Sequence, residues 1–326
     1  MKNPVSATLR GLRDVRTEGR SLAPLEDDER IDGRTVLVTG ANRGLGRAVT
    51  EALVRRGGRV VMACRSGIPD AGEEVKQATG SSFVAMRHVD MADLRTVDAL
   101  VDGLDRDGTV LDVLVLNAGV VPRRARRTEQ GLELMFGVNY LANVALVERL
   151  LAAGLLRVGG KDRPRIVFVS SESHRDAGPV RVEDLGRFAA YGAMGGMKVY
   201  GYSKLLLTTY AMHLSRRLGQ KAGVHACCPG PVDSDIAREA PVWIKPLLRP
   251  VMRRFFRAPA EAAAPVVYLC CARALDASTG RYLHLMMEKA PDPAATDPQA
   301  GERLLHESMR LIEQARGHHA GGTHER

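Results

Sequence analysis

Residues 200–204 read YGYSK at the start of a segment with helical spacing. Tyr200 and Lys204 are four apart and share one helix face, while Tyr202 points elsewhere. A phenol with a pKa of about 10 is a poor base at neutral pH. A neighbouring ammonium, joined by any further positive charge, favours the phenolate and brings the group toward working range. Ser171 ends the apolar run RIVFVSS and can donate a hydrogen bond to the substrate oxygen that the phenol serves. Such a set can move a proton onto or off an alkoxide. Alone, the Y-x-x-x-K spacing describes an ordinary solvated helix face equally well.

A second constellation gives the first one a context. Thr35–Gly46 reads TVLVTGANRGLG, an apolar strand running into a glycine-rich turn, and helical spacing follows to about Arg56. Gly40 permits the tight turn, Gly44 lets backbone approach a pyrophosphate, and Gly46 lets the helix pack closely on the strand. The helix N-terminus then offers free N–H groups to phosphates, with Asn42, Arg43 and Leu45 inside the loop. The next strand ends in VVMACRS. Sites specific for NAD place an acidic side chain near there to bind the ribose 2′-hydroxyl, whereas this chain has Cys64 and Arg65. Arg43 and Arg65, with no carboxylate, suit a 2′-phosphate, so NADP(H) is the expected cofactor.

The elements that must position these residues alternate along the chain. Apolar runs recur at Thr35–Thr39, Val60–Cys64, Phe83–Val89, Leu111–Leu116, Ile166–Ser170 and Val224–Cys228. Between them lie helically spaced segments such as Arg47–Arg56, Leu94–Leu104 and Leu132–Leu151. Continuous apolar strands alternating with helices predict an α/β fold: a single Rossmann-type, doubly wound parallel sheet with helices on both faces. Residues 33–312 are expected to form that domain, preceded by a polar arm over 1–32. A disordered tail is expected over 313–326, where the chain turns Gly- and His-rich.

Composition narrows the partners. Hydrophobic residues make up 45% of 326 and the formal net charge is +9, most of it arginine. That balance favours anionic partners such as a phosphorylated cofactor or an acidic lipid surface. Nucleic acid is not expected, because no recognition fold or aromatic stacking platform accompanies the charge. The five cysteines show no C-x-x-C spacing, so neither a disulfide framework nor a metal site is expected. No run reaches the roughly 18 apolar residues of a membrane span, and no secretory signal is expected. The chain reads as cytoplasmic.

Residues 241–258, PVWIKPLLRPVMRRFFRA, carry apolar residues at three- and four-residue spacing beside a basic stripe. Three readings stay open: a helix packed on its own core, part of a lid over a lipophilic substrate (235–258), or peripheral contact with a membrane surface. The Met- and Gly-rich stretch Tyr191–Val199 suits an adaptable wall opposite. The basic run Arg123–Arg127 reads as a solvated loop, or as an attractor of anionic groups.

Together these motifs resemble the short-chain dehydrogenases/reductases over about residues 31–285. T-G-x-x-x-G-x-G matches Thr39–Gly46, N-A-G matches Asn117, Ala118 and Gly119, and Y-x-x-x-K matches Tyr200–Lys204. The resemblance implies catalytic roles for Asn139, Ser171 (rather than Ser170), Tyr200 and Lys204. It implies cofactor contacts from Asp90, Pro229, Gly230, Val232 and Ser234 as well. TEQGLELMFGVNYLANVALVERLL and VSSESH resemble retinol dehydrogenases, WW-domain oxidoreductases and protochlorophyllide reductases in particular. Reversible hydride transfer between NADPH and a lipophilic carbonyl or alcohol follows, with Leu132–Leu151 and Lys204–Arg217 expected in a homo-oligomeric interface. The alternative is a non-catalytic dinucleotide-binding redox sensor or scaffold, which would not need the Ser/Tyr/Lys/Asn set.

Overall fold

Runs rich in β-branched residues line up side by side in the computed structural model, which describes residues 20–159, 163–232 and 257–317. The strands are β1 (Arg20–Ser21), β2 (Thr35–Thr39), β3 (Arg59–Cys64), β4 (Val84–His88), β5 (Val113–Leu116), β6 (Arg165–Val169), β7 (Gly223–Cys228), β8 (Tyr282–His284) and β9 (Met287–Glu288). They form one sheet in the order β1-β9-β8-β7-β6-β5-β2-β3-β4. Pairing from β4 across to β8 is parallel throughout, and at the far edge β9 alone is reversed, antiparallel to both β8 and β1. The strand order reverses between β2 and β5, and open α/β sheets bind ligands at such a switch point. This is the expected doubly wound α/β sheet.

Helices cover both faces. On one side α1 (Gly44–Arg55), α2 (Asp70–Thr79) and α6 (Pro259–Cys271) pack on a core that includes Val38, Val49, Leu53 and Val266. On the other, α3 (Leu94–Arg106), α4 (Leu134–Ala152), α5 (Ala193–Leu218) and α7 (Pro298–Gly317) enclose Leu114, Phe168, Leu206 and Tyr210. Local chemistry sets the ends: Asp93 caps α3 by accepting from the Arg95 N–H at 3.0 Å. Gly80 closes α2 with a left-handed φ of 67°.

Inside α4 the helix loosens to a π turn over Gly137–Leu141. Asn143 Nδ2 donates to the Val138 and Asn139 carbonyls at 3.2 and 3.1 Å, pairing oxygens that the wider turn would strand. Such π turns are frequent at functional sites, and this one carries Asn139. α4 is also long and apolar enough to cross a membrane, but 78% of it is buried inside the fold, as befits a core helix.

Several expectations change. The second half of the N-terminal arm is built into the fold: β1 pairs with β9, Ile31 is buried, and Arg273 donates to Glu29 Oε1 at 2.9 Å. Residues 1–19 lie outside the described residues. α7 runs to Gly317, so 313–317 are helical because that stretch continues a helix whose Leu304 and Ile312 are fully buried. The rest of the tail, and the lid segment apart from 257–258, lie outside the described residues.

Leu132–Leu151 and Lys204–Arg217, the stretches expected in a homo-oligomeric interface, are largely covered within one chain. α7 lies against them, with Tyr140 Oη and Ser308 Oγ 2.6 Å apart and Gly301 close against His213. Among the described residues, Arg216 and Arg217 stay exposed there and Glu148, Arg149 and His213 half-buried. If α7 is integral, Leu304→Ala should cost about 2–5 kcal/mol of unfolding free energy in urea titrations. A loss well below about 1 kcal/mol would mean the helix is only laid on the surface.

Candidate active site

The loops leaving β2 and β5 are stitched together at the switch point. Thr39 Oγ1 accepts from the Asn117 and Ala118 N–H groups, both at 3.0 Å. Asn117 Nδ2 donates back to the Thr39 and Gly40 carbonyls at 2.9 and 3.2 Å. A Cβ on Gly46 would stand 2.2 Å from the Gly40 carbonyl oxygen, so only glycine allows α1 to start this close to the strand.

The residues there fit a dinucleotide. Arg43 precedes α1 with extended backbone and caps no N–H group with its side chain, and the first turn holds no acidic residue. The helix N-terminus therefore keeps its donors for an anion. Gly44 adopts φ 53°, and a Cβ there would meet nothing within 4 Å. Asn42 braces the loop through Nδ2 to the Ser66 carbonyl at 3.1 Å. Arg65 is 65% exposed and its Nη1 lies 3.7 Å from Asp90 Oδ2. That ion pair is long and wet, hence weak, and leaves the guanidinium able to turn toward a phosphate. Asp90 also fixes its own loop, accepting from the Ala92 N–H at 2.9 Å.

The four expected catalytic residues come from three separate segments. β6 ends by turning Ser170 inward, where its hydroxyl pairs with Thr208 Oγ1 at 2.7 Å. Ser171 faces the other way, near enough to the Tyr200 phenol to draw its pKa down. Tyr200 and Lys204 lie on one face of α5, with the Lys204 amine 5.8 Å from the Tyr200 ring centre. Asn139 accepts from the Val120 N–H at 2.7 Å and donates to the Val120 carbonyl and Ser203 Oγ at 3.0 and 3.1 Å. A Cβ on Gly119 would lie 3.4 Å from Asn139 Oδ1 and 3.7 Å from Lys204 Nζ, so these three residues converge. Pro229 and Gly230 follow β7, Gly230 with φ 81°. Val232 pairs with Arg257. Ser234 lies outside the described residues.

Burial pushes the Tyr200 phenol up to about 12, while the hydrogen bond with Ser171 draws it the other way. Burial pulls the Lys204 amine down to about 8. It donates to the Val169 carbonyl at 2.8 Å and, among the described residues, pairs with no carboxylate. Without further positive charge, the phenol is a neutral acid at pH 7.

Sequence reasoning missed several neighbours. Tyr191 reaches Glu133 Oε1 at 2.9 Å and ties the segment before α5 to the start of α4. Glu172 and His174 sit beside Ser171 in contact with the C-terminal strands. The charged letters inside VSSESH were their only signal.

The short chain dehydrogenase family model matches residues 34–183. Human retinol dehydrogenase 13 is 32% identical over 290 residues, 86% of this chain and 85% of that protein. The chain is a short-chain dehydrogenase. Retinol dehydrogenase 14 of Mus musculus is 34% identical over 90% of this short-chain dehydrogenase and 89% of its own length. Polyprenol dehydrogenase of Danio rerio is 31% identical over 88% and 89%. Among solved structures, an uncharacterized protein from Mycobacterium Paratuberculosis superposes with a TM-score of 0.68 at 26% identity, covering 89% of this chain and 98% of its own. As an oxidoreductase near the retinol dehydrogenases, the chain uses a nicotinamide cofactor.

The Lys204 shift makes the dehydrogenase testable without substrate. A buried amine that loses its proton at about 8 when folded, against 10.5 when unfolded, destabilises the fold while charged. The unfolded chain binds more protons between those values, so this group's contribution rises with pH across that window. In cofactor-stripped protein, the Tm difference between wild type and Lys204→Met should therefore shift in the wild type's favour from pH 8 to pH 10.5. A flat difference would mean that the folded amine titrates normally.

Proposed function

We propose that this chain is an NADP(H)-dependent alcohol dehydrogenase or carbonyl reductase for lipophilic substrates, with Tyr200 as its proton donor and acceptor. The observation that carries the reading is the convergence of Tyr200 with the buried Lys204, whose amine lies 5.8 Å from the phenol ring centre, beside Ser171 at the end of β6. A nicotinamide dinucleotide bound at the switch point supplies or accepts the hydride. Gly40, Gly44, Gly46, Gly119 and Gly230 would let backbone approach it, and Lys204 would hold its ribose hydroxyls.

In reduction, Ser171 and Tyr200 hydrogen-bond the carbonyl oxygen, and Tyr200 gives its proton to the alkoxide as it forms. The ammonium of Lys204 lowers the cost of the phenolate left behind. Both polar atoms of Asn139 are committed to Val120 and Ser203. Its part is therefore to hold the loop against Lys204 and so support a relay water. In oxidation the same groups run in reverse. An intact set of this kind favours catalysis over redox sensing.

Two features support a lipophilic substrate. Val121 and Met197 are 40% and 46% exposed. They lie just beyond Gly119 and one turn before Tyr200, in segments that adjoin: the Pro122 carbonyl would be 3.7 Å from a Cβ on Gly196. Retinol and polyprenol, named in the relatives, are both lipophilic alcohols. NADP(H) is supported by Arg43 and Arg65 standing where a carboxylate would select NAD.

NADPH consumption should accordingly be faster with retinal or decanal than with short hydrophilic aldehydes. Tyr200→Phe should lower kcat by about 10²–10⁴-fold while NADPH affinity, followed by fluorescence, stays nearly constant. Substantial activity in that variant would remove Tyr200 from the mechanism. Arg65→Asp should weaken NADPH binding by roughly 1.5–3 kcal/mol, one to two decades, with little effect on NADH. Equal affinity of the unaltered enzyme for both cofactors would overturn the cofactor assignment.

A further inference from the structure

Next to Ser171 lies a buried carboxylate that the proton path does not use. Glu172 Oε1 accepts from the Tyr282 hydroxyl at 2.9 Å, and Oε2 accepts from Arg175 Nε and Lys289 Nζ at 2.9 and 3.0 Å. The Glu172 and Lys289 side chains are only 16% and 10% exposed. Burial alone would push the carboxyl up, yet Arg175, His284 and Lys289 hold it down at about 2. It is an anion at any working pH.

His174 makes a second tie. Its Nε2 accepts from the Asp292 N–H at 3.0 Å, so the ring proton sits on Nδ1 and is donated to the Ser171 carbonyl at 2.7 Å. Arg175 also donates to the Ala290 carbonyl at 2.5 Å. The turn that carries Ser171 is thus fastened on several sides to residues 282–292, more than a hundred positions away.

Stability alone does not account for this cluster. A buried ion pair costs desolvation that it often barely recovers, and apolar residues of similar volume would hold the fold as well. What charge and fixed donors add is direction. The Ser171 hydroxyl has a competing use as a cap: it accepts from the Ser173 N–H at 3.2 Å and lies 3.1 Å from Ser173 Oγ. Its turn also abuts α5, where a Cβ on Gly201 would stand 2.7 Å from the Ser173 carbonyl oxygen. A shift of about 1 Å in this turn would separate Ser171 from Tyr200, enough to cost about two decades in rate.

We propose that Glu172, clamped by Tyr282, Arg175 and Lys289, is a positioning residue that sets the Ser171 hydroxyl opposite Tyr200. The proposal rests on the roles given to Ser171 and Tyr200 above. A double-mutant cycle tests it, with steady-state NADPH oxidation by decanal as the readout. Glu172→Gln should lower kcat by about 10–100-fold and leave KM for NADPH within about twofold. In a Ser171→Ala background, the same change should cost less than about twofold more, because the group it positions is gone.

Equal losses in both backgrounds would overturn the proposal, as would a fall in kcat that merely tracks the folded fraction by circular dichroism. If Glu172→Gln does not fold, Tyr282→Phe carries the cycle, since it removes one hydroxyl and keeps the ring. About 3–10-fold lost in wild type and almost none in Ser171→Ala is the expected result. Additive losses there overturn the proposal too. Full activity of Ser171→Ala on its own would overturn the Ser171 assignment and this proposal together, whereas additivity with an impaired Ser171→Ala overturns positioning alone.

Discussion

Two loops that leave neighbouring strands in opposite directions must be held within van der Waals contact, and the Thr39 hydroxyl does this by accepting from two consecutive N–H groups. Asn117 returns the bonds to the carbonyls of the first loop, so no polar group is stranded at the closest approach. The start of α1, the placement of Gly119 beside Asn139 and Lys204, and the crevice itself follow from that separation. Glycine at 40 and 46 is the steric condition for it: a Cβ on Gly40 would press on the Ala118 Cα at 3.1 Å.

A second constraint is electrostatic. α5 is buried almost all round, and it carries Lys204 into a place with a backbone carbonyl but, among the described residues, no counter-ion. An amine so placed is costly to the fold, and costs of this kind gather at functional sites. The raised phenol and the lowered amine are two sides of one dry environment. Glu172 shows the contrasting solution, a buried charge fully matched by donors.

Local signals in the sequence reached far. Six of the seven parallel strands, β2 to β7, emerge close to the apolar runs, since a strand buried on both faces has little freedom in composition. The glycine loop and the Tyr200–Lys204 spacing are local too, confined to one turn or one helix. Ser171 was separable from Ser170 only by resemblance, although alternation along a strand explains why one faces Thr208 and the other Tyr200. Less legible were pairings between distant segments: Glu172 with Tyr282 and Lys289, Tyr140 with Ser308, and Arg20 with Glu288. Each partner alone reads as a surface residue or a tail, and only the folded chain supplies the other. The covered faces of α4 and α5 belong to the same class, because the amphipathic pattern of α7 names no destination.

The bridge between Val232 and Arg257, with the Arg257 N–H bonded to the Pro231 carbonyl at 2.9 Å, gives the intervening segment coincident ends. Chain that departs from and returns to one point is thermodynamically separable from the sheet. Doubling the length of such a loop costs only about 0.6 kcal/mol of closure entropy. Both ends, Val232 and Arg257, lie beside the turn that follows Pro229 and Gly230. A change in the number of residues between Val232 and Arg257 would therefore add little closure cost, while the pairing of β7 with β6 and β8 stays as it is.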